Sequence, residues 1–62
     1  MIILLTNAAT ESPIIIGLMN IVTVEPTVDK LHTMFKLSTG EAVAVIEDFT
    51  MVNKMLSEMV HG

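Results

Sequence analysis

The sequence predicts an α+β fold in which a small five-stranded, antiparallel and partly closed sheet is followed by one C-terminal helix. Short β-branched and apolar runs alternate with turn residues as far as Glu47, which is typical of strands joined by tight connections. After Glu47 the period of the apolar residues changes from two to about 3.6, which indicates a helix. At 62 residues the chain is expected to form a single domain, residues 1–62.

The first two predicted strands are almost entirely apolar. Residues 1–6 form the first strand, in which residues 2–5 are apolar without alternation, as expected of a strand covered on both faces, although so short a run also fits a helix. Residues 13–16 form the second strand, where Pro13 at the first position removes little of the hydrogen-bond ladder. The polar segment between them, residues 7–12, is interpreted as a hairpin connection rather than the rim of a ligand site.

Residues 21–25 are predicted to be the third strand. Strict alternation would place Ile21, Thr23 and Glu25 on one face of this strand. The same alternation would place Val22 and Val24 on the other face. Pro26 ends the strand and begins a turn into the central hairpin.

The central hairpin, residues 30–47, has two alternative registers. A two-residue loop at residues 39–40 would place Phe35 opposite Ala44, whereas a three-residue loop at 38–40 would place Phe35 opposite Val43. We favour the three-residue loop, because a type I turn followed by a left-handed Gly40 is a common closure that glycine adopts without steric cost. The shared inner face then consists of Phe35, Leu37, Val43 and Val45.

The last element is an amphipathic helix. Asp48 is a favourable N-cap for a helix that begins at Phe49 and ends near Val60. Its apolar stripe consists of Phe49, Val52, Met55, Leu56, Met59 and Val60. We expect this stripe to pack onto the sheet from Phe49 onward. His61 in the last turn and Gly62 after it are typical of a helix C-terminus.

Composition excludes several classes of function. The net charge is −4, with three lysines and no arginine, so the basic patch of a nucleic-acid-binding protein is missing. The acidic balance disfavours an anionic membrane surface, and no apolar segment reaches the roughly 20 residues of a transmembrane helix. The N-terminal segment lacks the basic leader of a signal peptide. The absence of cysteine fits a cytoplasmic location.

A chain this short and this apolar is expected to be a homo-oligomer. It is 52% hydrophobic and 16% charged, and it has no disulfide to stabilise a small core. Alternation leaves apolar side chains on the strand face opposite the core, where they would form an exposed patch in a monomer. The predicted interface residues are Ile14, Ile16, Val22, Val24, Met34 and Ile46.

Several segments resemble a known family. The segments I-V-T-V-E-P, F-K-L-S-T-G-E-A-V-A-V and I-E-D-F-T-M-V-N-K-M-L follow the pattern of the FlbD-type flagellar and swarming-motility small proteins. They are still more similar to short phage-encoded relatives of that pattern. The chain differs from the flagellar members in its aliphatic segment I-I-I-G-L-M-N and in having no arginine, which argues against a flagellar role. The resemblance implies the fold and carries over no catalytic residue.

The sequence shows no set of nucleophilic, acid–base or metal-ligating residues that would meet in one site, as those of an enzyme do. We therefore expect neither catalysis nor a metal or other cofactor. His32 lies on a strand and His61 at the C-terminus, too far apart in sequence for an i, i+4 metal pair. A contact between His32 and Glu47 would need the two-residue hairpin loop. Glu47 and Asp48 are adjacent carboxylates, but strand neighbours point to opposite faces and Asp48 is better suited to cap the helix.

Two hypotheses for function remain. The first is a phage-encoded homo-oligomer that captures a host-derived anionic ligand, such as a nucleotide immune signal, and so counters host defence. Its candidate ligand-binding residues are Asn7, Thr10, Lys30, His32, Lys36 and Lys54. The alternative is a structural or regulatory adaptor that binds a protein partner through a sheet edge or a helix face, as the flagellar relatives suggest.

Overall fold

Five short strands and one helix form the domain. The computed structural model describes residues 1–61, and the side chains of residues 1–59. Its elements are β1 (Ile2–Thr6), β2 (Pro13–Gly17), β3 (Ile21–Pro26), β4 (Thr33–Leu37), β5 (Ala42–Val45) and α1 (Phe49–His61), with one 3-10 turn at Leu18–Asn20 between β2 and β3. The α+β class and the order of elements are confirmed. Gly62, predicted to follow the helix, lies outside the described residues.

The strands form two antiparallel sheets, so the prediction of a single, partly closed five-stranded sheet is wrong. One sheet pairs β1 with β2, and the other has the order β3-β4-β5. Among the described residues, the backbones of β1 and β5 pair only where β1 ends. There an isolated bridge joins Asn7 to Val45, and the Ile46 N–H donates to the Thr6 carbonyl at 2.9 Å. Because pairing between β1 and β5 is confined to this point, no continuous ladder joins the sheets within the described residues.

The β4–β5 hairpin has the predicted three-residue loop. Phe35 lies opposite Val43. Gly40 has a φ of +92°, its N–H donates to the Leu37 carbonyl at 3.0 Å, and the Leu37 N–H donates to the Glu41 carbonyl at 2.9 Å. Since side-chain direction has a period of two, this register decides that Phe35 and Val43 share the inner face.

A bulge in β3 changes the faces predicted for that strand. Ile21 pairs with Leu37, but Thr23 already pairs with Lys36, so Val22 is an extra residue on the bulged strand. Ile21 and Val24 therefore both pack against the core, whereas Val22 is exposed. The prediction that Val24 lies on the outer face with Val22 is wrong, because a bulge interrupts the alternation.

The core lies between the two sheets and the helix. It consists of Ile3, Leu5, Ile16, Phe35, Val45 and Val52, with the buried Thr33 among them. Ile16 pairs with Ile3 and is only 4% exposed, and Ile14 pairs with Leu5 and packs against the core. The assignment of Ile14 and Ile16 to the outer face is therefore wrong, because their pairing partners on β1 point inward.

The helix begins as predicted, but its first residue does not join the core. Asp48 Oδ1 accepts a hydrogen bond from the Met51 N–H at 2.8 Å, which is the N-cap geometry. The side chains that pack inward are Val52, Met55, Leu56 and Met59. Phe49 remains 37% exposed, because helical side chains lean toward the N-terminus and the first one extends beyond the packed turns. No helix in the part of the chain described is long and apolar enough to cross a membrane.

Candidate functional site

The outer face of the β1–β2 hairpin carries exposed apolar side chains on two neighbouring strands. The outer hairpin face consists of Ile2, Leu4 and Ile15, which are 56%, 59% and 61% exposed. Leu4 lies directly opposite Ile15 in the register, so these two side chains are neighbours on one face. Neither β1 nor β2 contains a charged residue. The hairpin thus has two apolar faces, of which this chain covers only one.

Only part of the predicted oligomer interface lies at the surface. Ile14, Ile16 and Val24 pack toward the core. Of the other three, Val22 is 64% exposed at the bulge and Ile46 is 47% exposed after β5, while Met34 is half-buried. Ile15, which the prediction did not include, is 61% exposed, whereas its two isoleucine neighbours pack inward. Whether any of these residues forms an interface between copies of the chain stays a prediction.

Asn7 and Thr10 stabilise their own turn. Asn7 Oδ1 accepts hydrogen bonds from the N–H groups of Ala9 and Thr10, at 2.8 and 3.3 Å, and Thr10 Oγ1 accepts one from the Ser12 N–H at 3.3 Å. Glu11 completes the turn with a φ of +59°. Because these oxygens already have local partners, the geometry favours a structural role for both residues as a hairpin connection.

Lys30 and His32 lie within a second hydrogen-bonded loop, residues 27–32. The prediction that His32 lies on a strand is wrong, because β4 begins one residue later, at Thr33. The Thr27 hydroxyl donates to Asp29 Oδ1 at 2.6 Å and accepts a hydrogen bond from the His32 N–H at 3.2 Å. Lys30 has a φ of +64°, and its N–H donates to the Thr27 carbonyl at 2.9 Å. The hydrogen bond from Thr27 lowers the pKa of the Asp29 carboxyl, with further contributions from the Leu31 N–H and the His32 charge. The loop holds its shape with its own polar groups.

Lys36 and Lys54 lie on other elements. Lys36 Nζ is 3.6 Å from Glu25 Oε1, an exposed ion pair across β3 and β4, and such pairs stabilise little. Lys54 is exposed on α1. The six candidate ligand-binding residues are therefore distributed over two loops, one strand and the helix. Within a single chain, no hydrogen bond or ion pair among the described residues assembles all six into one site.

The described part of the chain contains neither a metal-binding cluster nor a pocket. Among the described side chains, no three histidine, cysteine, aspartate or glutamate residues lie close enough together to hold a metal ion. The same part of the chain has no concave pocket. Among the exposed apolar side chains, Leu4 and Ile15 are direct neighbours across a strand pair, so the outer hairpin face is the surface considered for recognition.

One polar cluster was not predicted from the sequence. Glu47 accepts hydrogen bonds from the backbone N–H and the hydroxyl of Thr6, and its carbonyl accepts one from the buried Thr33 hydroxyl at 2.8 Å. The carboxylates of Glu47 and Asp48 thus have separate structural tasks, and the hydrogen bonds to Glu47 come from β1 and β4. The only sequence signal is a glutamate just before an N-cap, and it does not indicate a partner 41 positions away.

Comparison with known proteins adds no further information. A scan against protein-family models found no match, and searches of curated proteins and of solved structures found none either. The resemblance to FlbD-type proteins and their phage relatives stays a prediction.

Proposed function

We propose that this chain is a non-enzymatic binding protein that acts as a homo-oligomer, and that its subunits meet on the outer hairpin face. The observation that carries the proposal is the exposure of Ile2, Leu4 and Ile15 on a hairpin that lacks charge. Contiguous exposed apolar patches larger than a few hundred Å² usually mark interaction surfaces. The inner face of the same hairpin already packs on the core, so a second copy can cover the outer face without any rearrangement.

Electrostatics support a second copy as the occupant of this face. Each chain carries a net charge of −4, so most orientations of two copies bring like charges together. At the outer hairpin face two copies can meet without bringing like charges together, because neither strand of the hairpin is charged. Burial of its three side chains also offsets the limited core of a 62-residue domain.

Sedimentation equilibrium at micromolar concentration tests the proposal. The expected result is a mass that is a multiple of the 6.8 kDa chain. Leu4→Glu should lower the average mass, because association would bury an unpaired charge. Val28→Glu is the matched control, since Val28 is fully exposed in the loop between β3 and β4, outside the outer hairpin face, and its substitution adds the same charge. A wild-type protein that sediments as a monomer contradicts the proposal.

For the ligand, we propose a host-derived anion such as a nucleotide immune signal, bound by a phage-encoded protein in the host cytoplasm. The support is the resemblance to short phage-encoded proteins, together with the exposed ammonium groups of Lys30 and Lys54. Within one chain Lys30 and Lys54 lie on different elements. Association would bring lysines of several chains together around one anion. Native mass spectrometry of the protein purified from a phage-challenged host is expected to detect a bound nucleotide, and Lys30→Gln with Lys54→Gln should reduce its occupancy.

The alternative is an adaptor for a protein partner, which the loop at residues 27–32 supports. Its internal hydrogen bonds hold Val28 and Leu31 outward, and Val28 is fully exposed. Apolar side chains on a preorganised loop lose little conformational entropy when a partner covers them. In the same mass spectra, a co-purifying protein that is lost with Val28→Glu and retained with Leu4→Glu would favour the adaptor over the ligand-capture hypothesis.

A further inference from the structure

The open edge of β2 carries backbone hydrogen-bonding groups that have no partner among the described residues. At one end of the β1–β2 ladder the Leu18 N–H donates to the Met1 carbonyl, and at the other the Asn7 N–H donates to the Ser12 carbonyl. Antiparallel pairs alternate between hydrogen-bonded and non-hydrogen-bonded positions. The pairing of Leu4 with Ile15 is therefore of the non-hydrogen-bonded kind. The N–H and C=O groups of Ile15 point away from β1, toward an edge where no other strand of residues 1–61 pairs.

The outer edge of β3 provides a comparison, because it has several features that discourage pairing with another strand. Val22 forms a bulge, Pro26 lacks an N–H at the end of the strand, and Glu25 places a charge on it. Bulges, prolines and charges are the devices by which sheets protect their edges. The β2 edge has only Pro13, at its first residue, followed by three consecutive isoleucines. It is the less protected of the two edges.

We propose that β2 is a second self-association site, at which two copies of the chain pair their β2 strands antiparallel around Ile15. In that register Ile15 exchanges hydrogen bonds in both directions with Ile15 of the second copy. Each Gly17 N–H then donates to the Pro13 carbonyl of the opposite chain. Because Pro13 has no N–H, the pair formed by Gly17 and the opposite Pro13 makes one hydrogen bond instead of two. The β2 edge is otherwise complementary to a second copy of itself. This inference rests on the proposed function, because it adds an edge contact to the contact through the outer hairpin face.

A second copy of the chain can bind at both the β2 edge and the outer hairpin face. Edge pairing joins two hairpins into one four-stranded sheet, and it places the outer hairpin faces of both chains side by side. Two such sheets can then pack face to face. Two two-fold contacts whose axes intersect at right angles generate a closed assembly of four chains, a common symmetry of soluble oligomers. The edge contact also joins strands that have no charged residue, so the net charge of −4 on each chain does not oppose it locally.

Ile15→Pro tests the edge contact directly. Proline at position 15 removes an N–H that has no partner among residues 1–61, and proline is tolerated on edge strands when that group faces outward. It also shortens one apolar side chain of the outer hairpin face, so the control must shorten that side chain and keep the N–H. Ile15→Val is the matched control, because it keeps both the N–H and an apolar side chain. The expected result in sedimentation equilibrium is that Ile15→Pro has half the mass of the wild type and of Ile15→Val. An unchanged mass for Ile15→Pro overturns the proposal.

Amide hydrogen exchange on the wild-type protein gives an answer even where Ile15→Pro does not fold. The Ile15 and Gly17 amides should be protected at high concentration and should lose that protection on dilution. The Leu4 amide, which points to the opposite edge of the hairpin, should not change. An oligomer in which Ile15 exchanges freely at all concentrations overturns the edge contact and leaves the proposed function intact, whereas a monomeric wild type overturns both.

Discussion

The carboxylate of Glu47 accepts two hydrogen bonds from Thr6, one from the backbone N–H to Oε1 and one from the hydroxyl to Oε2, each at 3.0 Å. These contacts hold the end of β1 against the residue that precedes the N-cap of α1. They lie beside the point where the Ile46 N–H donates to the Thr6 carbonyl. The first strand, the last strand and the helix are therefore joined at one place.

Loss of this contact should destabilise the domain. Glu47→Ala is expected to lower the free energy of unfolding by about 1–3 kcal/mol, because hydrogen bonds to a charged group are stronger than neutral ones and the Thr6 N–H would lose its partner. Urea denaturation measures the change. A double-mutant cycle with Thr6→Val isolates the hydroxyl contact, and Glu58→Ala, on the exposed side of the helix, is the control. Equal effects of Glu47→Ala and Glu58→Ala would contradict the prediction.

Gly40 should resist substitution for a purely conformational reason. A Cβ at this position would meet no atom within 4 Å, but the φ of +92° is unfavourable for any residue with a side chain. Gly40→Val is expected to cost more than about 1 kcal/mol, because a β-branched residue is strongly disfavoured at positive φ. Gly40→Asn should cost less, since asparagine tolerates positive φ better. Thermal unfolding of the two variants compares them, and a similar midpoint for both would show that φ is not the cause.

Val52 should contribute more to stability than its neighbour on the helix. Its side chain is fully buried, whereas Met51 is 52% exposed. Val52→Ala is expected to cost about 1–3 kcal/mol from lost burial and the cavity left behind. Met51→Ala should change stability by less than about 0.5 kcal/mol, as surface substitutions do. Chemical denaturation of both variants decides whether α1 is docked on the sheets through this residue, and equal small effects would mean that it is not.

Asp29 should titrate below the usual range of an aspartate. The Thr27 hydroxyl hydrogen bond lowers the pKa of this carboxyl in the folded state. A lowered folded-state pKa stabilises the fold above the pKa of the unfolded chain, and that contribution is lost as the pH falls through the folded-state value. Thr27→Val should move the pKa of Asp29 upward. An NMR titration of the carboxyl in both proteins gives the comparison, and identical curves would exclude the hydrogen bond as the cause.

The features that the sequence predicted correctly depend on residues close together in the chain. Gly40 determines the β4–β5 register, because the left-handed turn it allows involves only its immediate neighbours. Asp48 determines the start of the helix, because an N-cap bonds to an N–H three positions later. Both signals are local, so neither needs a partner from elsewhere in the fold.

Only the tertiary structure decided which face of each strand is buried. Ile14, Ile15 and Ile16 are chemically identical, so no alternation distinguishes them, and the pairing of Ile16 with Ile3 selects the residue that enters the core. The bulge at Val22 turns Ile21 and Val24 to the same side in a segment that reads as regular alternation. The contact of Glu47 with Thr6 likewise joins the two ends of the chain. In each case the free energy depends on a distant segment, and a local pattern holds no information about where that segment will lie.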